Sequence, residues 1–186
     1  MQIHALEGGF ADAPIETSHA FRAVMTAMAR PAEIMRVQGA RPPAPLSPAA
    51  GAVLLTLCDP DTPVFLGAAH DRQAVRDWIT FHTGAPLVEV SSAMFAFGTW
   101  EDLPRAAFPL GSAEYPDRSA TLIVEVATLE NEGQTLRGPG IRDWAQLSLP
   151  ETAFFAQNTA LFPLGLDFIF TCGVQLAALP RSTRVS

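Results

Sequence analysis

Thr121-Leu-Ile-Val-Glu-Val-Ala127 is the strongest strand signal in the chain, a short run of aliphatic and β-branched residues entered from a polar turn region at residues 111–119. Upstream, residues 94–97 and 87–90 are the next strand candidates. Residues 71–81 predict a helix with Val75, Trp78 and Ile79 on its apolar face, Asp71 as its N-cap and Gly84 free to take a left-handed conformation at its end. Residues 63–66 predict another strand, preceded by the turn Asp59-Pro60-Asp61 and by residues 49–58, which are apolar nearly all round, as in a buried helix. The connector Arg41-Pro-Pro-Ala-Pro-Leu-Ser-Pro48 is too stiff and too poor in amides to join a sheet interior. Residues 33–37 predict a short strand. Before it, residues 18–30 predict a helix that places Phe21, Val24, Met25 and Met28 at helical spacing, with Thr17 or Ser18 as N-cap and Pro31 as terminator.

Downstream of the central strand, residues 135–140 and 141–149 read as strand, tight turn, strand. Residues 150–161 read as a helix with Pro150 in its first turn and Phe154, Phe155 and Leu161 along it. Residues 167–171 and 174–179 form a hairpin around Cys172-Gly173, and residues 100–107 predict only a weak helix, interrupted by Pro104. Helices interleaved with strands require a sheet covered on both faces, and the hairpins make that sheet mixed. The expected fold is therefore α/β, a single three-layer domain over residues 1–186 with a mixed β-sheet flanked by helices.

Composition narrows the chemistry. The chain has 186 residues and a net charge of −7; its 12 basic residues are all arginine, with no lysine. Without lysine there is no internal aldimine with pyridoxal phosphate and no P-loop ammonium. With a sequence pI near 5.0 the chain is not built for general nucleic-acid binding, so a small anion would need a local arginine pocket. Cys58 and Cys172 lie far apart with no Cys-x-x-Cys spacing, which fits reduced thiols. Residues 1–10 carry an acid and no basic leader ahead of an apolar run, so they do not read as a signal peptide and a cytoplasmic location is expected. The stretch 162–180 is apolar and near the length of a membrane span, but Pro163, Gly165, Asp167, Gly173 and Gln175 fit a hairpin instead.

Four residues are candidate ligands for a phosphonate or a nucleotide. His82, at the end of the helix over 71–81, is suited to acid, base or anion-donor work, or simply to stabilising a helix C-terminus. His19 and Arg22 share a helical face at the spacing that grips an oxyanion, although such pairs are usually a solvated stripe. Arg137, ahead of Gly138-Pro139-Gly140, combines a guanidinium with exposed turn amides, in a motif that also serves as an ordinary strand connection. Asp59 and Asp61 are the residues to consider for Mg²⁺, but Asp-Pro-Asp beside a helix end is normally a turn, and no metal is expected. No GxSxG, HExxH or GxGxxG motif occurs, and no catalytic residue can be assigned.

Several blocks stand in a telling order: His19-Ala-Phe-Arg22 with Ala27-Met-Ala-Arg-Pro31, Val53-Leu-Leu-Thr-Leu57 with Asp61-Thr-Pro-Val-Phe-Leu66, Phe81-His-Thr-Gly-Ala-Pro-Leu87, Gly138-Pro-Gly-Ile141, Phe162-Pro-Leu-Gly-Leu-Asp167 and Pro180-Arg-Ser-Thr-Arg184. Together they resemble the PhnH family, from about residue 14 to the C-terminus. The resemblance implies a subunit of the bacterial carbon-phosphorus lyase system, required with PhnG, PhnI and PhnL for the displacement of adenine from ATP by a phosphonate to give ribose 1-phosphonate 5-triphosphate. It implies PhnG, PhnI and PhnJ as partners, with nucleosidase chemistry on PhnI and radical carbon-phosphorus cleavage on PhnJ. It also implies a fold similar to the pyridoxal-phosphate-dependent transferases without the cofactor, in keeping with the missing lysine. Two departures are visible: Ala32 stands where many relatives have glycine, and Arg137 stands where a small hydroxyl residue is common.

Twelve phenylalanines, five methionines and a low charge content predict an apolar surface covered by another chain, a homodimer when isolated, through Phe21 and Met25 or the proline-rich loop before Ala49. The alternative to an assembly or co-catalytic subunit is a stand-alone enzyme that uses His19, Arg22, His82 and Arg137.

Overall fold

A computed structural model describes residues 7–186, so the part of the N-terminal reading that falls on residues 1–6 lies outside the described residues. Its elements run α1 (Ala13–Ala29), β1 (Met35–Arg36), α2 (Pro48–Leu57), β2 (Val64–Leu66), α3 (Gln73–Thr83), β3 (Phe95–Thr99), β4 (Thr121–Glu125), β5 (Gln134–Arg137), β6 (Ala145–Leu147), α4 (Thr152–Ala160), β7 (Asp167–Cys172), β8 (Gln175–Leu179) and β9 (Arg184–Val185). The run at residues 121–127 is strand β4. It lies inside a six-stranded sheet of order β1-β8-β7-β4-β3-β2 and pairs in parallel with β3 and β7 on its two sides, Ile123 facing Phe97 and Ile169. Strands β2, β3, β4 and β7 are mutually parallel, β8 runs antiparallel to β7, and β1 pairs antiparallel with β8, so the sheet is mixed as expected.

Alternation along β4 shows why its sequence is apolar throughout. Ile123 joins a core with α1, α2 and α3 on one face, whereas Leu122 and Val124 join a core on the other with Phe155 of α4, Leu136 and Leu147. That second face is covered by α4 together with a small antiparallel sheet of order β6-β5-β9. The three layers are therefore helices, mixed sheet, and a composite of one helix and three short strands.

Five local expectations are corrected. Helix α1 starts at Ala13, after Asp12 and with Pro14 in its first turn, ahead of the expected cap at Thr17 or Ser18. Its buried face is Ala20, Ala23, Val24 and Ala27; Phe21 and Met25 are left 49% and 51% exposed. Asp71 does not cap α3, whose N-cap is Arg72, because the Asp71 carboxylate is held by the Arg76 guanidinium. Residues 87–90 make one isolated parallel bridge, Leu87 to Val64, and no strand. Residues 100–107 contain only a 3₁₀ turn at Arg105–Ala107. There the Arg105 guanidinium lies 3.9 Å over the Trp100 ring and donates to the carbonyls of Trp100 and Leu103, taking acceptors that a helix would use, and Pro104 supplies no amide. The connection from β5 to β6 spans residues 138–144 and is no tight turn. Gly140 in it sits at φ +82 against the Ala29 carbonyl, where a Cβ would fall 1.9 Å from that oxygen, so the loop is fitted onto the end of α1.

Candidate functional site

Parallel strands end their hydrogen-bonding ladder with loops that diverge, and ligands of open α/β sheets bind in the crevice outside the carboxyl ends. Here Thr99 ends β3 and Glu125 ends β4, and over them opens a cleft of about 500 Å³ lined also by Trp100, Gln134, Ser148 and Pro150. At its floor Glu125 is fixed through one oxygen: Oε2 accepts hydrogen bonds from Ser47 Oγ at 2.8 Å and Thr171 Oγ1 at 2.7 Å. Ser47 is also the N-cap of α2, accepting from the Ala50 amide, so the start of one helix and the ends of two strands converge on this carboxyl. Oε1 accepts no hydrogen bond among the described residues. Burial pushes the Glu125 carboxyl above the usual carboxylate range, against the opposing pull of the Thr171 and Ser47 hydroxyls. Burial thus favours the protonated form of this carboxyl, which lines the cleft.

The sign of the linked pH effect follows. A carboxyl whose folded pKa is raised contributes stability that is complete below its unfolded pKa and is lost as pH rises through the folded value. Glu125→Gln keeps an acceptor oxygen for Ser47 and Thr171 but cannot ionise. Its urea midpoint should exceed that of the wild type at pH 8, with the advantage shrinking as pH falls into the carboxylate range; an offset independent of pH between 4 and 8 would show that burial does not govern this group.

A second titratable group lies at the same end of the sheet. His70 is only 4% exposed, packs edge-on against Phe97 and holds Nδ1 3.8 Å from Asp102 Oδ2 without a hydrogen-bond partner. Burial lowers its pKa in spite of Asp102, so it is neutral at physiological pH. Cys58 is no nucleophile, because burial and the adjacent Asp59 push its thiol up to about 12. Asp59 and Asp61 form a turn in which the Asp61 amide donates to Asp59 Oδ1 at 2.9 Å. Among the described residues, no group of three or more His, Cys, Asp and Glu is placed to hold a metal ion.

The four residues singled out from sequence do not share a cleft. His19 lines a hollow of about 330 Å³ with Glu16 and Arg36, while Arg22 is exposed on the same helix. His82 packs against Trp78 and Phe81, and its pKa is lowered by burial against a hydrogen bond with the Glu7 backbone. Arg137 lines a separate cleft of about 360 Å³ with Gly138, Pro139, Phe162 and Arg184. Glu125 and His70 had little to betray them in the sequence; a lone acid inside an aliphatic run is the one available signal, and it marks Glu125.

Residues 8–186 match the family described as bacterial phosphonate metabolism protein (PhnH). The chain belongs to the PhnH family. A curated relative, the alpha-D-ribose 1-methylphosphonate 5-triphosphate synthase subunit PhnH of Rhizobium meliloti (strain 1021), is 42% identical, with 99% of this chain and 97% of that one covered. A putative C-P lyase subunit protein, HtxG of Stutzerimonas stutzeri, is 29% identical over 97% of this chain and 96% of its own length. The resemblance read from the ordered blocks is therefore a PhnH relationship along nearly the whole chain. One departure expected from the resemblance falls at a backbone position that favours glycine: Ala32 sits at φ 74, the left-handed region in which glycine is unstrained.

Proposed function

We propose that this chain is a subunit of a carbon-phosphorus lyase assembly, acting with PhnG, PhnI and PhnL in the transfer of the ribose triphosphate moiety of ATP to a phosphonate such as methylphosphonate. The 42% identity to a named PhnH subunit, running through 99% of the chain, carries the reading. PhnG, PhnI and PhnJ are its partners, and its role is assembly or co-catalysis rather than an independent active site. It acts in the cytoplasm as a single domain, without pyridoxal phosphate, on a fold similar to that of the pyridoxal-phosphate-dependent transferases. Among the described residues no helix is long and apolar enough to cross a membrane. In isolation it forms a homodimer, and the exposed Phe21 and Met25 on α1 support that face as the contact.

The test is genetic and biochemical. In a phosphonate-using bacterium deleted for its own PhnH, this chain should restore growth on methylphosphonate as sole phosphorus source and should co-purify with PhnG, PhnI and PhnJ. Replacing Phe21 and Met25 together by Glu should release monomers in sedimentation without loss of the fold. Restored growth with no co-purification, or adenine release from ATP by the purified chain alone, would favour the stand-alone enzyme over a subunit.

A further inference from the structure

We propose that the cleft between Arg137 and Arg184 binds a phosphate monoester or phosphonate whose oxyanion sits between the two guanidiniums and whose adjoining planar group lies against Phe162. The argument begins with register. Strand β9 pairs antiparallel with β5, so that Leu136 faces Val185 and Arg137 faces Arg184. The first pair is buried and points into the core, and alternation sends the second pair to the outer face. Two guanidiniums thus project side by side from strands whose Cβ atoms are roughly 5 Å apart, an arrangement of like charges that disfavours the pairing.

The cleft of about 360 Å³ is completed by Gly138, Pro139, Thr159, Phe162 and Ser182, with no acidic residue among its lining. Neither arginine forms an ion pair or side-chain hydrogen bond among the described residues, in a chain whose net charge is −7. A tetrahedral oxyanion answers this geometry, since two guanidinium forks can share its oxygens through charge-assisted hydrogen bonds. Phe162, 60% exposed and in contact with no other aromatic ring among the described residues, lies in the lining of the same cleft. An apolar ring beside a cationic grip selects a ligand that is anionic at one end and planar next to it. The inference rests on this cleft and not on complex membership, so its failure would leave the assembly reading standing.

Phenyl phosphate, inorganic phosphate and phenol are the probes, titrated calorimetrically into the full-length chain at low ionic strength. Phenyl phosphate should bind with a sub-millimolar dissociation constant, inorganic phosphate at least fivefold more weakly, and phenol without measurable heat. Arg137→Gln and Arg184→Gln should each weaken phenyl phosphate at least tenfold, and Phe162→Ala should reduce it to the affinity of inorganic phosphate. Because the arginines are exposed, both variants should keep the wild-type circular dichroism and unfold in urea no earlier than the wild type. Phenyl phosphate should raise the wild-type midpoint and, at the same concentration, raise theirs less. Phenyl phosphate binding that is absent, or that survives both arginine substitutions, would overturn the proposal; equal affinity for the two phosphates, unaffected by Phe162→Ala, would remove the ring from it.

Discussion

Phe168→Ala should destabilise the protein by about 4 kcal/mol, near the middle of the range for emptying a buried phenylalanine site. Phe168 is fully buried on β7, between Leu122 of β4 and Leu179 of β8 in register. Its ring meets Phe155 at 5.2 Å, Trp100 and Phe154 at 6.0 Å, and Phe170 in a near-parallel stack at 6.1 Å. The neighbours come from three sources: sheet, α4 and the irregular crossover after β3. They cannot all move inward together, and the cavity stays open. Phe168→Leu should cost no more than about half as much, because it keeps most of the volume. Chemical denaturation of the three proteins measures both; a loss of under ~2 kcal/mol for Phe168→Ala would show that the aromatic cluster collapses to fill the space. Since Trp100 also lines the cleft above Glu125, the same variant should loosen that cleft's wall.

Arg181→Ala should cost about 3 kcal/mol, the lower end of the range for breaking a buried ion pair. Arg181 and Asp167 have side chains only 14% and 15% exposed, and they are joined through the Arg181 Nη2, through Nε at 3.1 Å and by the Arg181 backbone amide at 2.8 Å. Arg181 Nη1 also donates to the Pro116 carbonyl at 2.7 Å. One guanidinium therefore ties together the start of β7, the segment after β8 and the 3₁₀ turn before β4. Alanine would leave a mostly buried carboxylate with the backbone amide as its remaining donor and would orphan a carbonyl as well. For a chain of this length the midpoint should fall by roughly 6–12 °C. In the double variant with Asp167→Ala, the second substitution should cost much less than it does alone; strict additivity would mean that the two side chains do not act as a pair.

How far the sequence revealed this molecule depends on the range of the contacts concerned. Strand β4, the hairpin of β7 and β8, the left-handed Gly84 and the buried helix α2 all rest on signals within a few residues, and each is where those signals put it. The failures share one cause. Asp71 carries the right side chain for a cap, but Arg76 competes for it. The helix expected over residues 100–107 is undone by Arg105 on Trp100. Phe21 and Met25 are not among these failures: they are expected on an apolar surface and are exposed, while the neighbouring alanines pack closely because small side chains let α1 approach α2 and the sheet. Glu125 is visible as an acid in an aliphatic run, but its partners Ser47 and Thr171 lie 78 and 46 positions away. Arg184 could not be set opposite Arg137 without the two-residue strand β9, which is too short to announce itself.

The six-stranded sheet is closed at both margins. On one side the outermost strand, β1, is two residues long and bears the exposed Arg36. On the other, β2 is three residues long, and its Val64 amide and carbonyl are already taken by the Pro86 carbonyl and the Val88 amide. Short, charged or occupied edge strands leave no template for strand addition. Any chain that docks on these two margins must therefore do so through side-chain surfaces, because neither offers a free backbone ladder to extend from one molecule into the next.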